Sequence, residues 1–198
     1  MPSLVAIFLH APRSGAIKPR LASAIGDRQA LRLYRVMAGR TLTAVRQAEF
    51  DATIWFAPAD AAVEMRRWLG DQWDLRPQAS GGLGARFAAA EQAVTRGRGW
   101  LAIGGDCPRL DGELLRVAGA ITDRGEVALG PSAQGGCYLI GGRTPLPTAL
   151  FEDLRWNAGS ALADTRARLA GAGVAWRELP ILREVETAED ARAEGLLT

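Results

Sequence analysis

Leu101-Ala-Ile-Gly-Gly-Asp-Cys-Pro108 is a short apolar run that breaks into glycine and then into one carboxylate, Asp106. A second run, Leu129-Gly-Pro-Ser-Ala-Gln-Gly-Gly-Cys-Tyr-Leu139, breaks into glycine and polar groups in the same way. In an open α/β sheet, ligands bind beyond the carboxyl ends of the strands, where such breaks occur. A carboxylate on a tight turn suits a hard cation that holds a substrate phosphate. We therefore expect both segments to border one ligand site.

Apolar runs alternate with helical patterns along the whole chain. The first run, Leu4–His10, is continuous, as in a strand that is covered on both faces. A helical stretch follows at about Arg20–Ala48, with a break near Gly26, and the alternation continues to a strand at Val174–Leu179 and a helix at Thr187–Glu194. Strands spaced by helices predict a three-layer α/β/α sandwich with a mostly parallel central sheet. The 198 residues fit a single domain, residues 1–198.

The composition argues against several classes of protein. A net charge of +2 is too small for nucleic-acid binding driven by bulk electrostatics, and no run of about 18 apolar residues could span a membrane. The N-terminus has no basic leader, so we expect a cytoplasmic protein with reduced cysteines. An apolar patch between Pro145 and Leu154 would suit a homodimer interface.

A cationic loop, Ala11-Pro-Arg-Ser-Gly-Ala-Ile-Lys-Pro-Arg20, follows the first strand. Lys18 is the only lysine of the chain, and with Arg13 and Arg20 it places three cations near a helix N-terminus, where phosphates bind. Gly15 allows a close backbone approach. The loop lacks the second glycine and the hydroxyl of a Walker A motif. From the residues alone, anion binding and a solvated turn are equally well supported.

Three other features each have two interpretations. His10, the only histidine, ends the first strand and either faces the site or serves the fold. The segment Gly81-Gly-Leu-Gly84 with Arg86 forms either a backbone-lined contact or simply the start of a helix. Asp106 either binds a ligand or caps a helix. No Ser-His-Asp set is recognisable, because His10 would have to serve alone.

Six segments, taken together and in order, resemble the radical-SAM/selenodomain-associated transferases, also described as arsenosugar-biosynthesis-type glycosyltransferases. The segments are Pro12–Leu21, Gln78–Arg86, Gly105–Leu110, Leu129–Leu139, Phe151 with Trp156, and Glu184–Asp190. The resemblance covers nearly the whole chain, and the ordered set is far more specific than any single segment. That family has the nucleotide-diphospho-sugar transferase (GT-A) fold. Its wider relatives include guanylyltransferases for phospholactate and for the molybdenum cofactor.

The resemblance implies a metal-dependent transferase that moves a sugar or a nucleotidyl group from a nucleotide-sugar or NTP donor to a small-molecule acceptor. It implies that Asp106 and Lys18 are catalytic and that Asp106, assisted by Glu186, holds Mg²⁺ or Mn²⁺ against the donor phosphates. The positions implied to bind the donor or approach the acceptor are Pro12, Arg13, Ser14, Gly15, Lys18, Arg20, Gln78, Gly84, Arg86, Gly135 and Gly136.

The chain departs from the family's pattern in ways that bear on activity. Pro19 replaces a threonine, Gln134 replaces an aspartate, and Glu184 and Glu186 replace two further aspartates. Loss of the aspartate at 134 removes an anionic oxygen, which would weaken a hard-cation site or change its ligands. The alternative function is therefore a catalytically degenerate nucleotide-binding protein of the same fold. A third interpretation keeps only the fold and assigns another phosphorylated metabolite as the ligand.

Overall fold

One seven-stranded sheet forms the centre of the computed structural model, which describes residues 3–151 and 159–198. The strands are β1 Leu4–His10, β2 Asp51–Ala57, β3 Asp74–Pro77, β4 Gly99–Gly104, β5 Val127–Pro131, β6 Cys137–Arg143 and β7 Trp176–Glu178. They lie in the order β3-β2-β1-β4-β6-β5-β7. Strand β6 is antiparallel to β4 and β5, and the other neighbouring pairs are parallel. The predicted mostly parallel sheet is confirmed.

The helices lie where the sequence pattern predicts them, with small differences at their ends. They are α1 Pro19–Ile25, α2 Asp27–Ala48, α3 Ala62–Leu69, α4 Leu83–Gln92, α5 Gly112–Asp123, α6 Ala161–Gly171 and α7 Ala188–Ala193, with a short 3-10 helix at Thr148–Leu150. The predicted break between α1 and α2 falls at Gly26, whose φ of 83° suits glycine. Among the described residues, no helix is both long and apolar enough to cross a membrane.

Alternating side chains of the sheet build two cores, one on each face. In β1, Val5, Ile7 and Leu9 pack on the side of α2 and α5, whereas Ala6 packs on the other side, with Trp100. These side chains are almost completely buried. Complete burial of a valine, leucine or isoleucine side chain contributes roughly 1.5–3 kcal/mol, so both faces of the sheet are held by their helices. The three-layer sandwich is therefore the observed architecture.

The expected exposed apolar patch near Pro145–Leu154 is wrong for the described part of that segment. Leu146, Leu150 and Phe151 are buried, because they pack into the core on the α4 side of the sheet. The rest of the segment, like Trp156, lies outside the described residues. The homodimer stays a prediction without this patch as its basis.

The chain after β7 returns to the centre of the sheet and so completes the carboxyl edge. Leu182 pairs in parallel with Ser132 just beyond β5. Farther on, the backbone N–H of Val185 donates to the carbonyl oxygen of Asp106 at 2.9 Å. Because Asp106 follows β4, this bond brings the residues around Val185 to the centre of the edge. The last segment of the chain thus lies beside the turn at Asp106 that follows β4.

Candidate active site

A cleft of about 980 Å³ lies along the carboxyl edge of β1 and β4. Residues of β1 and α4 line one side, and Gln134 with Gly136–Tyr138 lines the other. Five acidic residues line the cleft: Asp106, Glu184, Glu186, Glu189 and Asp190. The first three interact electrostatically and form its acidic centre. This volume is at the upper end of the range for small-molecule sites.

Lys18 and Asp106 face one another in this cleft. The ammonium Nζ of Lys18 lies 2.6 Å from Oδ2 of Asp106 and also donates to Oε1 of Glu186. The lysine side chain is only 10% exposed. The chain therefore brings together a cation from the loop after β1, a carboxylate from the end of β4 and a carboxylate from the last segment.

The backbone at Lys18 holds an unusual conformation that directs the side chain. Its φ of 47° and ψ of 62° are left-handed, and Pro19 begins α1 immediately afterwards. A residue with a Cβ adopts this conformation at a cost of about 1–2 kcal/mol, and such residues cluster at functional sites. In this conformation the Lys18 side chain forms ion pairs with Asp106 and Glu186.

Lys18 is cationic throughout the ordinary pH range. Burial alone opposes the charge on the ammonium, but the carboxylates of Asp106 and Glu186 outweigh it and raise the pKa of Lys18 above its usual value. The loop after β1 thus contributes one permanent positive charge to the acidic centre of the cleft.

Glu184 is the third carboxyl group at this centre and is not fully neutralised. Burial, together with the negative charges of Asp106 and Glu186, raises the pKa of Glu184 to about 7, even though a hydrogen bond from Ser132 and the positive charge of Lys18 act in the opposite direction. The single positive charge of Lys18 is therefore surrounded by three carboxyl groups. With a pKa of about 7, Glu184 is protonated in part of the molecules at neutral pH. A group with such a pKa can accept or donate a proton during a reaction.

The burial of Val185 accounts for the way in which both of its neighbours, Glu184 and Glu186, line the cleft. Val185 between them is completely buried, in the core formed with α1 and α2. In extended backbone, successive side chains point to opposite sides, so the two neighbours of a buried residue share the other side. The backbone hydrogen bond from Val185 to Asp106 then fixes the position of Glu184 and Glu186 relative to the end of β4.

Asp190 holds this acidic segment in place, and the sequence analysis did not single it out. Its Oδ2 accepts from the backbone N–H groups of Glu186 and Thr187, at 3.2 and 3.0 Å, and from the Thr187 hydroxyl at 2.8 Å. Thr187 and Asp190 form a reciprocal capping box at the start of α7. The spacing Thr187-x-x-Asp190 is the sequence signal that could have revealed this role.

Gln134 ties the loop after β5 to the same segment. Its amide Nε2 donates to the carbonyl oxygen of Glu184 at 2.8 Å and to Oδ1 of Asp190 at 3.1 Å, while its Oε1 accepts from the Ser132 hydroxyl at 2.6 Å. A carboxylate at this position could not donate those two hydrogens. In this chain, residue 134 is thus a structural link between two sides of the cleft.

Gln78 and Arg86 form a linked pair on the α4 side. The amide of Gln78 donates to the carbonyl oxygens of Leu9 and Trp55, at 3.2 and 2.9 Å. Its Oε1 accepts from Nη1 of Arg86 at 2.9 Å, and Nε of Arg86 donates to the carbonyl oxygen of Gly81. Arg86 is thereby fixed as a positive charge on the cleft wall.

His10 faces the cleft, which answers one of the open questions from the sequence. Burial lowers the pKa of its imidazole, and the positive charges of Arg86 and Lys18 lower it further, while Asp106 acts in the opposite direction. The imidazole is therefore neutral at pH 7. The Tyr34 hydroxyl holds the backbone of His10 by accepting from its N–H and donating to its carbonyl oxygen.

The sequence also left open whether Asp106 binds a ligand or caps a helix. The residue that caps the following helix, α5, is Asp111 and not Asp106.

The structure divides the residues predicted for the site into two groups. Those that line the cleft or reach it by a side-chain contact are Lys18, Arg20, Gln78, Arg86, Asp106, Gly136 and Glu186. Those outside its lining are Pro12, Arg13, Ser14, Gly15, Gly84 and Gly135. Arg13 is instead paired with Glu64 and Asp60, at 2.8 and 3.3 Å, so acidic residues at α3 neutralise the cation expected to meet phosphate. Gly84 is buried within α4.

Gly135 supports the cleft through the backbone. Its φ is 84°, and a Cβ at this position would lie 2.1 Å from the carbonyl oxygen of Gly159. We expect Gly135→Ala to lower the free energy of unfolding by about 2 kcal/mol, from left-handed strain and overpacking together. The measurement is denaturant unfolding. Gly125→Ala is the matched control, because Gly125 has a φ of 80° and nothing within 4 Å of its Cβ position. Equal losses in the two variants would show that the contact with Gly159 is unimportant.

The acidic centre has the donor chemistry that Mg²⁺ or Mn²⁺ requires. Asp106 and Glu186 each direct one oxygen to a single point, where the Lys18 ammonium lies. Among the described residues, no three His, Cys, Asp or Glu side chains are arranged to hold a metal by themselves. Magnesium is commonly held by one or two carboxylates together with substrate phosphates. The two carboxylates therefore fit a divalent cation whose remaining ligands come from a substrate.

The open sheet, its strand order and the cleft at its carboxyl edge define the class of the protein, since they are those of the nucleotide-diphospho-sugar transferase (GT-A) fold. Residues 41–158 match the family described as "Uncharacterized protein conserved in bacteria (DUF2064)". The chain belongs to that family.

Several solved structures share this fold. A candidate nucleotide-diphospho-sugar transferase from Desulfovibrio desulfuricans G20 is 27% identical, with a TM-score of 0.89 over 98% of this chain and 87% of that chain. The inositol-1-phosphate CTP transferase of T. maritima is 15% identical, with a TM-score of 0.64 over 99% and 95% of the two chains. Rv0371C from Mycobacterium tuberculosis H37Rv, in complex with manganese, is 20% identical, with a TM-score of 0.59 over 98% of each chain. No protein of curated function matches the sequence significantly.

Proposed function

We propose that this protein is a metal-dependent transferase that takes a nucleotide sugar or an NTP as donor and a small molecule as acceptor. The observation that carries the proposal is the meeting of Lys18, Asp106 and Glu186 at the carboxyl edge, inside a cleft of about 980 Å³. The names of the solved proteins with this fold support a nucleotide donor, and the manganese complex of one of them supports a divalent cation. The resemblance of the sequence motifs to radical-SAM/selenodomain-associated transferases supports the same proposal.

In this proposal the side chains bind and orient the donor phosphates without a protein nucleophile. Lys18, Arg20 and Arg86 supply positive charge around the phosphates. Asp106 and Glu186 would hold Mg²⁺ or Mn²⁺, which neutralises the charge that builds on the leaving diphosphate or pyrophosphate.

Glu184 is the group on the cleft wall best suited to take the proton of an acceptor hydroxyl. Its pKa of about 7 means that a large fraction is ionised, and therefore basic, at neutral pH. The backbone at Gly136, on the opposite side from Arg86, borders the space left for the acceptor.

Ligand-dependent thermal stability tests the donor class. A nucleotide or nucleotide sugar at about 100 times its dissociation constant adds about 2.7 kcal/mol to the free energy of unfolding, and Mn²⁺ should increase that gain. Sugar phosphates are the comparison series. Stabilisation by sugar phosphates but not by nucleotides would replace the proposal with the third interpretation, a site for another phosphorylated metabolite.

The released product separates the two reactions within the proposal. Radiolabelled NTPs that release pyrophosphate indicate nucleotidyl transfer, whereas nucleotide sugars that release nucleoside diphosphate indicate glycosyl transfer. The alternative, a degenerate nucleotide-binding protein, is favoured by one observation: the Lys18 ammonium pairs with both Asp106 and Glu186, the two carboxylates that would hold a metal. Nucleotide binding that EDTA leaves unchanged, with neither product formed, would establish that alternative.

A further inference from the structure

The ammonium of Lys18 lies at the point where the two carboxylates of the acidic centre converge. It is 2.6 Å from Oδ2 of Asp106 and also bonds Oε1 of Glu186, so it contacts the oxygens that a divalent cation would require. Mg²⁺ lies about 2.0–2.1 Å from its oxygen ligands. An ammonium and a divalent cation cannot both occupy this space, because they would overlap and their charges repel.

Lys18 cannot leave this point without a new anionic partner. Its side chain is 10% exposed, and its backbone is fixed in the left-handed conformation at the start of α1. Leaving a buried charge without its partner is strongly destabilising.

Donor phosphates would supply that partner. With Lys18 between Asp106 and Glu186, two carboxylates share one positive charge. If phosphate oxygens accept the ammonium, the carboxylates are left with two negative charges at one point, which one divalent cation neutralises. Arg20 and Arg86 line the same cleft and draw the phosphates towards this position.

We propose that Lys18 holds the cation position of the free protein and yields it only to a phosphate-bearing ligand, so that Mg²⁺ or Mn²⁺ binds the protein–nucleotide complex and not the free protein. This inference rests on the proposed function for the nature of the ligand. Its first consequence, a cation site blocked by a lysine, concerns the protein alone.

Manganese titration without nucleotide, followed by calorimetry and by the electron paramagnetic resonance signal of free Mn²⁺, tests the blocked site. We expect the free wild-type protein to bind Mn²⁺ about 10- to 100-fold more weakly than Lys18→Met does, a coupling of ordinary size. Methionine keeps an unbranched apolar side chain that is one atom shorter, and it removes the charge. Lys18→Arg keeps the charge and should stay blocked. Adding Asp106→Asn to Lys18→Met should abolish the gained binding, which locates it at this centre.

The outcomes separate this inference from the proposed function. Tight Mn²⁺ binding by the free wild-type protein, or no gain in a folded Lys18→Met variant, overturns the lysine block. Should Lys18→Met fail to fold, Lys18→Gln, which also removes the charge, takes its place in the same titration without nucleotide: a gain in Mn²⁺ affinity supports the block, and unchanged affinity overturns it. A gain in Lys18→Met together with no nucleotide binding by the wild type would keep the block and overturn the proposed function.

Discussion

Asp106→Asn should reduce transfer by about a hundred- to a thousand-fold, the range found when a group that stabilises the developing charge is removed. The asparagine carbonyl can still accept from Lys18, so the fold around β4 should be retained. What is lost is the negative charge that, with Glu186, holds a divalent cation against the donor. Steady-state kinetics with saturating donor and Mn²⁺ give the measurement, and the loss should appear in kcat.

A second readout follows from the neighbouring carboxyl group. The charge of Asp106 is one of the causes that raise the pKa of Glu184, so Asp106→Asn should move that pKa down towards its ordinary value. Titration of Glu184 by NMR measures this shift. A variant with an unchanged Glu184 pKa would show that the two carboxyl groups are not coupled as the structure indicates.

Asp111→Asn is the matched control for this variant. It makes the same chemical change five residues farther on, at the N-cap of α5, where asparagine caps about as well as aspartate. Asp111 is not among the residues that line the cleft. Transfer that falls equally in both variants would reflect a general loss of structure. Transfer retained in Asp106→Asn would overturn the metal-dependent proposal.

The sheet was largely predictable because each strand carries its own local signal. The continuous apolar run Leu4–His10 predicts β1 to the residue, since a strand covered on both faces needs apolar side chains throughout. The short turn at Ser132–Gly136 returns β6 antiparallel to β5, the geometry that a tight connection requires. Strand ends were less certain: the last strand is Trp176–Glu178 and not Val174–Leu179.

The site was predictable only in part, because its contacts join residues far apart in the sequence. That Lys18 and Asp106 share one edge follows from strand order, but their bond depends on the backbone conformation at Lys18. The pairing of Arg13 with Glu64 depends on where α3 packs, which no local pattern specifies. The hydrogen bonds of Gln134 to Glu184 and Asp190 were unpredictable for the same reason, since these two partners belong to the last segment of the chain.

Asp190 shows how a residue outside the chemistry controls the site. The carboxylate is buried and accepts from side chains on two sides, Gln134 and Arg183, as well as from Thr187 and the backbone of Glu186. Burial alone raises its pKa, but these hydrogen bonds outweigh burial and hold the pKa of Asp190 below its usual value. Its charged form is therefore favoured by folding.

Asp190→Asn should lower the free energy of unfolding by about 3 kcal/mol at pH 7. In the wild type, donors point at both carboxylate oxygens of Asp190, and in the variant the amide NH₂ would face some of these donors and could not accept from them. The stability from a carboxyl group with a lowered pKa is fully present above its unfolded value of about 3.9 and is lost as the pH falls through the folded value. The difference between wild type and variant should therefore shrink as the pH falls below about 4. Denaturant unfolding across this pH range measures the difference in stability. Asp164→Asn, which changes an exposed aspartate on α6, is the control.

A kinetic effect is also expected, because Asp190 holds the backbone of Glu186. The KM for the donor should rise in Asp190→Asn and not in Asp164→Asn. A pH-independent stability difference would show that the charge of Asp190 is not what holds the segment.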